Sequence, residues 1–358
     1  MGRKMTIQVA IMNGYGLAMA SDRHVFRDGD ARSSGQDTKL HRLRGSVPAA
    51  MMASGPFAVF GKPVSRLALR MERAMADCGS DDGPEALAEA VLRCLDVPIE
   101  GPQRDADAEL LTEVAGQVID RAANAEDGHA AGLERLLDEL ERTPGCRNHA
   151  TIEARGRAAW EATAPALSEA LCSDRPHAAA AMLAAPDLYG RAVAGALARN
   201  WGQGNELFLT IGLCCPSTGV PVMIALRLWR GLGQRLHAAS RLDREYEVSW
   251  QAGRTVLMAQ GSGRGLIEEM VDGLGEDHWA AMPSERRDAL RPAIDARWLR
   301  AHTRLGVSSP RELGLAATGL VRGAEVVGYL TQQSEATVAP VDCLVLTHRE
   351  AVELPLAA

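Results

Sequence analysis

Residues 6–12, Thr-Ile-Gln-Val-Ala-Ile-Met, alternate between two faces as a strand does, and 17–22, Leu-Ala-Met-Ala-Ser-Asp, form a second apolar run. The turn residues Asn13, Gly14 and Gly16 lie between them, so this opening predicts a hairpin. A stretch rich in Gly, Ser and Asp over 27–37 predicts a loop, with short strands on either side of the next turn at 39–43 and 49–54. Gly55-Pro56 predicts the start of a helix that continues to about residue 78 and is interrupted at Pro63. From about 80 to 200 Ala, Leu and Glu dominate, helical periodicity recurs and strand signals vanish. Strands return at 206–213 and 220–228, then at 235–241, 245–250 and 255–260. Helices follow at 283–304 and 311–332, the second opened by Ser309-Pro310-Arg311-Glu312, a capping box with proline in the first turn. A last strand is predicted at 341–347.

Strands, helices, strands, helices, strand is the order of an α+β protein in which two antiparallel sheets pack between helical layers, not of a doubly wound parallel sheet. It divides the chain into 1–79, the first half of the core; 80–200, an acidic helical insertion plus a second core helix; and 201–358, the second half of the core.

Charge changes this picture in one place. The 358 residues carry a formal net charge of −7, and no Lys/Arg stripe is interleaved with aromatics, which argues against a nucleic-acid partner. Residues 80–145 hold 17 Asp and Glu against five Arg, so this segment is a solvated acidic face or a docking surface for a partner, and the remainder of the chain is net positive. No stretch approaches the ~18 apolar residues that cross a bilayer, and no signal-peptide core follows the start, so a cytoplasmic protein away from membranes is expected. The seven cysteines are scattered without a C-x-x-C or a zinc spacing. Reduced thiols, no metal and no cofactor are the expectation. Gly261-Ser262-Gly263-Arg264-Gly265 lacks both the Gly-Lys-Ser/Thr ending and the βαβ context of a nucleotide loop.

Candidate chemistry comes from a rarity. Of 39 basic residues only Lys4, Lys39 and Lys62 are lysine. Lys39 opens the third predicted strand, Asp22 ends the second and Thr6 begins the first, so one sheet edge could gather all three. A threonine hydroxyl is a poor nucleophile until a base takes its proton. The α-amine of an N-terminal threonine can be that base, with an ordinary pKa near ~8. A neighbouring ammonium lowers that pKa, and a carboxylate holds the ammonium in place. Lysine, compact and tunable, suits the role better than the planar guanidinium of arginine.

With these residues the chain resembles the proteasome β-subunits, the bacterial HslV peptidase and especially the Anbu group, all N-terminal-nucleophile hydrolases. Asp22 stands sixteen residues after Thr6, as in that family, and Lys39 stands seventeen after Asp22, one more than usual. Ala53-Ser54-Gly55 matches the turn before the family's first helix, Gly261-Ser262-Gly263 its late loop, and Val341–Thr347 its last strand. The resemblance covers roughly 1–75 and 205–350 and leaves out the acidic middle. It implies a four-layer αββα sandwich and threonine peptidase activity on protein or peptide substrates. It also implies a homo-oligomeric ring or spiral. Thr6 would be the nucleophile, Asp22 and Lys39 its tuning pair, the Ser54 N–H an oxyanion donor, and Ser262 a neighbour of the threonine amine. Two departures stand out. Met1–Met5 precede Thr6, so they must be removed, or translation must start at Met5. Ser334 and Thr337 stand where the family commonly has an aspartate and a serine. A catalytically silent structural subunit and an amidase acting on small amides are the alternatives.

Overall fold

Alternation in the strands sorts their side chains onto two faces, and both faces of the central strands are buried in the computed structural model. The structure describes residues 7–26, 34–36, 38–55, 58–59, 62–76, 83–95, 106–124, 128–143, 145–146, 149–174, 176–199, 206–215, 217–233, 235–238, 255–260, 266–267, 270–271, 281–332 and 340–355. The strands are β1 (Gln8–Asn13), β2 (Gly16–Asp22), β3 (His24–Phe26), β4 (Ser34–Gln36), β5 (Leu40–Leu43), β6 (Ala49–Ser54), β7 (Ala58–Val59) and β8 (Lys62–Pro63). After the helical middle come β9 (Leu207–Cys214), β10 (Pro221–Gly231), β11 (Arg235–Ala238), β12 (Val256–Gln260), β13 (Val341–Leu346) and β14 (Ala351–Glu353). One antiparallel sheet has the order β12-β1-β2-β13-β14, and a second has the order β11-β10-β9-β6-β5.

The helices supply the outer layers. Helices α1 (Ser65–Ala76) and α2 (Pro84–Leu95) cover the second sheet: Leu67, Met71, Val91 and Leu95 pack on Met51, Leu209, Ile211 and Leu213. At the other side, α8 (Ser284–Val307) and α9 (Pro310–Gln332) lie against the first sheet, where Leu313, Ala317 and Val321 meet Val9, Ile11 and Ala18. The opposite parity of each sheet fills the middle, with Ala10, Met12, Leu17 and Met19 against Ala50, Met52 and Met223. This is an α+β fold, a four-layer αββα sandwich as expected. Between the two sheets, a Cβ at Gly212 would stand 2.7 Å from the Leu17 side chain. Glycine is needed there because protein cores leave no spare volume.

Helices α3 (Ala106–Ala123), α4 (His129–Arg142), α5 (His149–Asp174), α6 (Pro176–Ala184) and α7 (Pro186–Arg199) have their own apolar centre around Val114, Leu136, Trp160, Tyr189 and Val193. They are tied to the long strand β10 by Trp229 Nε1 donating to Leu197 O (3.1 Å) and by an Arg230–Glu113 ion pair (2.7 Å). Among the described residues of this pack, Glu109, Asp120, Glu134, Asp138, Glu139 and Glu141 are exposed. Among the described residues, no helix is long and apolar enough to cross a membrane. Cys94, Cys146, Cys214, Cys215 and Cys343 are free thiols, and all of them but Cys94 are buried.

Three local expectations change. Gly55-Pro56 does not open a helix: the short hairpin of β7 and β8 comes first, and the helix begins at Ser65, after Pro63. Part of the predicted 27–37 loop is strand instead, because β4 pairs antiparallel with β3, with His24 opposite Gln36. The tail after β13 turns back as β14, pairing Leu346 with Ala351. The strand expected at 245–250 lies outside the described residues. The capping box forms as expected, with Ser309 N–H and Oγ donating to Glu312 Oε2 at 2.6 and 2.7 Å.

One buried group makes stability depend on pH. His237, on β11, is 7 % exposed, and its ring lies over Gly231. Burial, with Arg155 and Arg235 nearby, pushes its pKa down from 6.5 to about 4. The fold therefore holds the neutral ring. Its contribution is fully present above pH 6.5 and is lost as pH falls toward about 4. Over that window wild-type unfolding free energy is expected to drop by on the order of 3 kcal/mol more than in His237→Leu, measured by urea unfolding at stepped pH.

Candidate active site

The β1–β2 hairpin places Ile7 and Asp22 across from each other at the end away from its turn. Asn13 Oδ1 accepts from Tyr15 N (2.9 Å) and Gly16 N (3.2 Å), which sets the turn and hence the register. Six paired steps later the Asp22 N–H donates to Ile7 O at 3.1 Å. The Asp22 carboxylate folds back on the same partner: Oδ1 accepts from Ile7 N at 3.1 Å.

Lys39 reaches this carboxylate from the other sheet. Its Nζ donates to Asp22 Oδ1 at 2.9 Å, with the lysine side chain 7 % exposed and the aspartate fully covered. The Lys39 backbone is fixed as well, because its carbonyl accepts from Ala53 N at 3.0 Å. Burial pulls the Lys39 ammonium below the ordinary lysine pKa, while the carboxylates of Asp22 and Glu325 oppose the fall. A buried ion pair of this kind costs desolvation on both sides and is weak evidence of a stabilising role.

Ser54 ends β6 beside this pair and is buried. Gln8 Nε2 donates to Ala53 O at 2.6 Å and to Ser21 Oγ at 3.2 Å, and Ser21 Oγ donates to Asp22 O at 3.0 Å. Because the peptide plane is rigid and trans, the bond to Ala53 O also sets the direction of the Ser54 N–H. Gly55 continues with φ +116°, and a Cβ there would stand 2.3 Å from Glu206 O. Only glycine suits both the left-handed backbone and the close approach.

Of the five candidate residues, the structure thus joins Asp22 and Lys39 directly and sets Ser54 in the adjoining strand. Thr6 and Ser262 lie outside the described residues, as do Ser334 and Thr337. Thr6 is one peptide bond from Ile7, the residue Asp22 grips through both its N–H and its C=O. Met52 faces the middle of the sandwich as a core residue. Gln8 and Ser21 were not singled out in the sequence. Their signal was present, since both are polar residues at inward positions of otherwise apolar strands. Among the described residues, no group of three or more His, Cys, Asp or Glu could hold a metal ion.

No protein family matches the chain by sequence, and no curated protein does. In structure it is similar to Anbu, an ancestral β-subunit, from Yersinia bercovieri, at 10 % identity and a TM-score of 0.33 over 97 % of this chain and 86 % of that one. A likeness at that level assigns no function, so any functional reading rests on the geometry of the Asp22–Lys39 site itself.

Proposed function

We propose that this chain is a threonine-type N-terminal-nucleophile peptidase of the proteasome-like class, acting through Thr6 once residues 1–5 have been removed. One observation carries the reading: a single buried carboxylate oxygen, Asp22 Oδ1, holds both the Lys39 ammonium and the N–H of the residue that follows Thr6. A lysine kept charged at the cost of burial, and tied to the first strand's opening peptide, supplies the cation that a threonine α-amine needs in order to act as a base.

In this mechanism the Thr6 amine takes the proton from Oγ as Oγ bonds to the scissile carbonyl carbon. The Ser54 N–H takes the developing oxyanion. The amine then passes its proton to the departing amine of the substrate, leaving an ester on Thr6. Water hydrolyses that ester with the same amine as base, which restores the enzyme. Lys39 keeps the amine unprotonated near neutral pH, Asp22 keeps Lys39 in place, and Ser262 is assigned beside the amine by resemblance only. Substrates are proteins or peptides, and the chain assembles with copies of itself, leaving the acidic helical pack as a surface for a partner.

The test begins with the intact mass of the purified protein. A mature chain starting at Thr6, together with a Thr6→Ala variant that loses peptide turnover by about 10³-fold or more, supports the reading. A chain that retains Met1 or Gly2 and hydrolyses nothing overturns it in favour of the silent structural subunit. Turnover of small amides without peptides overturns it in favour of the amidase.

A further inference from the structure

Glu325 is buried, with both carboxylate oxygens shielded from solvent. A carboxylate inside a core costs several kcal/mol unless a charge or hydrogen bonds compensate it. Its position along α9 places it at the candidate site. The helix begins at the hairpin turn, where Pro310 packs against Gly16. Gly314 then meets Val345 and Cys343, which pair with Ala18 and Ala20, so α9 advances along β2 toward Asp22. From Pro310 to Glu325 the helix rises about 22 Å. From Gly16 to Asp22 the strand covers about 20 Å. Glu325 also follows Val321 by one turn, on the stripe that faces the sheet. These placements bring it to the end where Asp22 and Lys39 meet.

We propose that Glu325 is a positioning residue of this site, a second carboxylate that acts on the Lys39 ammonium alongside Asp22. The inference builds on the peptidase reading above, but the coupling it names can be measured without turnover. Burial alone would drive Lys39 toward the neutral amine, and a neutral lysine could not depress the pKa of the threonine amine. One carboxylate opposes that from β2, and Glu325 adds a second from the helical layer. The other charged groups described around this end are the Arg23–Asp342 pair on the flank of β2 and β13, and the exposed Arg322 on α9. Glu325 thus helps keep Lys39 charged while Asp22 fixes where it sits.

Because the chain has only three lysines, isotope-labelled lysine side chains followed by NMR across a pH titration give a direct readout, and the Lys39 signal is assigned by its absence in Lys39→Met. Lys39 is expected to titrate below the ordinary lysine range, and Glu325→Gln is expected to lower it further by about half a unit or more. Glu325→Asp, which keeps the charge on a shorter arm, is expected to lie between them. It also keeps the test open should the glutamine variant fold poorly. Glu350→Gln, an exposed carboxylate away from the site, is expected to change nothing. In an active enzyme the acid limb of the kcat/KM profile moves to higher pH in Glu325→Gln, because a less charged Lys39 lowers the amine pKa less, and a merely structural role would not produce that shift. A Lys39 pKa unmoved by either Glu325 variant overturns the inference even if peptides are cleaved. A shifted pKa in a protein that cleaves nothing supports the coupling and counts against the peptidase reading alone.

Discussion

Asp22→Ala and Lys39→Met are each expected to lower the unfolding free energy by about 3–5 kcal/mol, because each leaves one buried charge without its counter-charge. The two variants remove opposite halves of one ion pair, yet the remainders differ. Without Asp22, the buried Lys39 ammonium loses its described 2.9 Å partner and the Ile7 N–H loses its acceptor. Without Lys39, the fully covered Asp22 carboxylate loses its counter-charge at 2.9 Å and keeps its bond from the Ile7 N–H. Adding Lys39→Met to Asp22→Ala should therefore recover part of the lost stability. Urea unfolding of the three variants against wild type measures this. If the pair is retained for chemistry, every one of them is inactive on peptides, including the most stable. A double variant less stable than either single variant would make the pair a structural strut. Lys39→Arg adds a finer test: the charge remains, the bulkier planar group does not fit the same bond, and full activity would refute the tuning role.

Gly55→Ala carries the second large effect, a loss of about 3 kcal/mol or more together with the loss of peptide turnover. A φ of +116° is poor for any L side chain, and the added methyl would meet the Glu206 carbonyl, a backbone atom with little room to give. The strain relaxes by moving the end of β6, and the Ser54 N–H moves with it. Ser54→Ala is the matching control. It keeps the N–H and removes only the hydroxyl, so activity close to wild type is expected if the backbone donor is what matters. An inactive Ser54→Ala that folds as stably as wild type would transfer the role to the side chain. Circular dichroism melts and peptide turnover on the two variants separate these outcomes.

Much of the architecture was legible because the central strands β1, β2 and β6 are largely apolar at both parities. Val9 and Ile11 against Ala10 and Met12 already require a sheet covered on both sides. Local signals failed where a tertiary contact outweighed them. Gly55-Pro56 has the composition of a helix start, but Gly55 is packed close against Glu206 and the β7–β8 hairpin precedes the helix. The short strand β14 follows a tail with weak alternation, and it exists because β13 offers it an edge. Lys39 stood out by rarity and Asp22 by its place at a strand end. Gln8, Ser21 and Glu325 did not, since a single polar residue in an apolar run looks the same whether it faces a partner or solvent.

By itself, then, the sequence determined the strand and helix order, the acidic middle segment and the candidate trio, because periodicity, charge and residue type are local properties. Only the tertiary structure decided that Asp22 and Lys39 share one buried oxygen with the Ile7 N–H, that Gln8 aims the Ser54 peptide, and that α9 carries Glu325 to the same end. Those contacts join residues up to about three hundred positions apart, and their strength comes from the low dielectric inside the sandwich, which exists only once both sheets and their helices have closed.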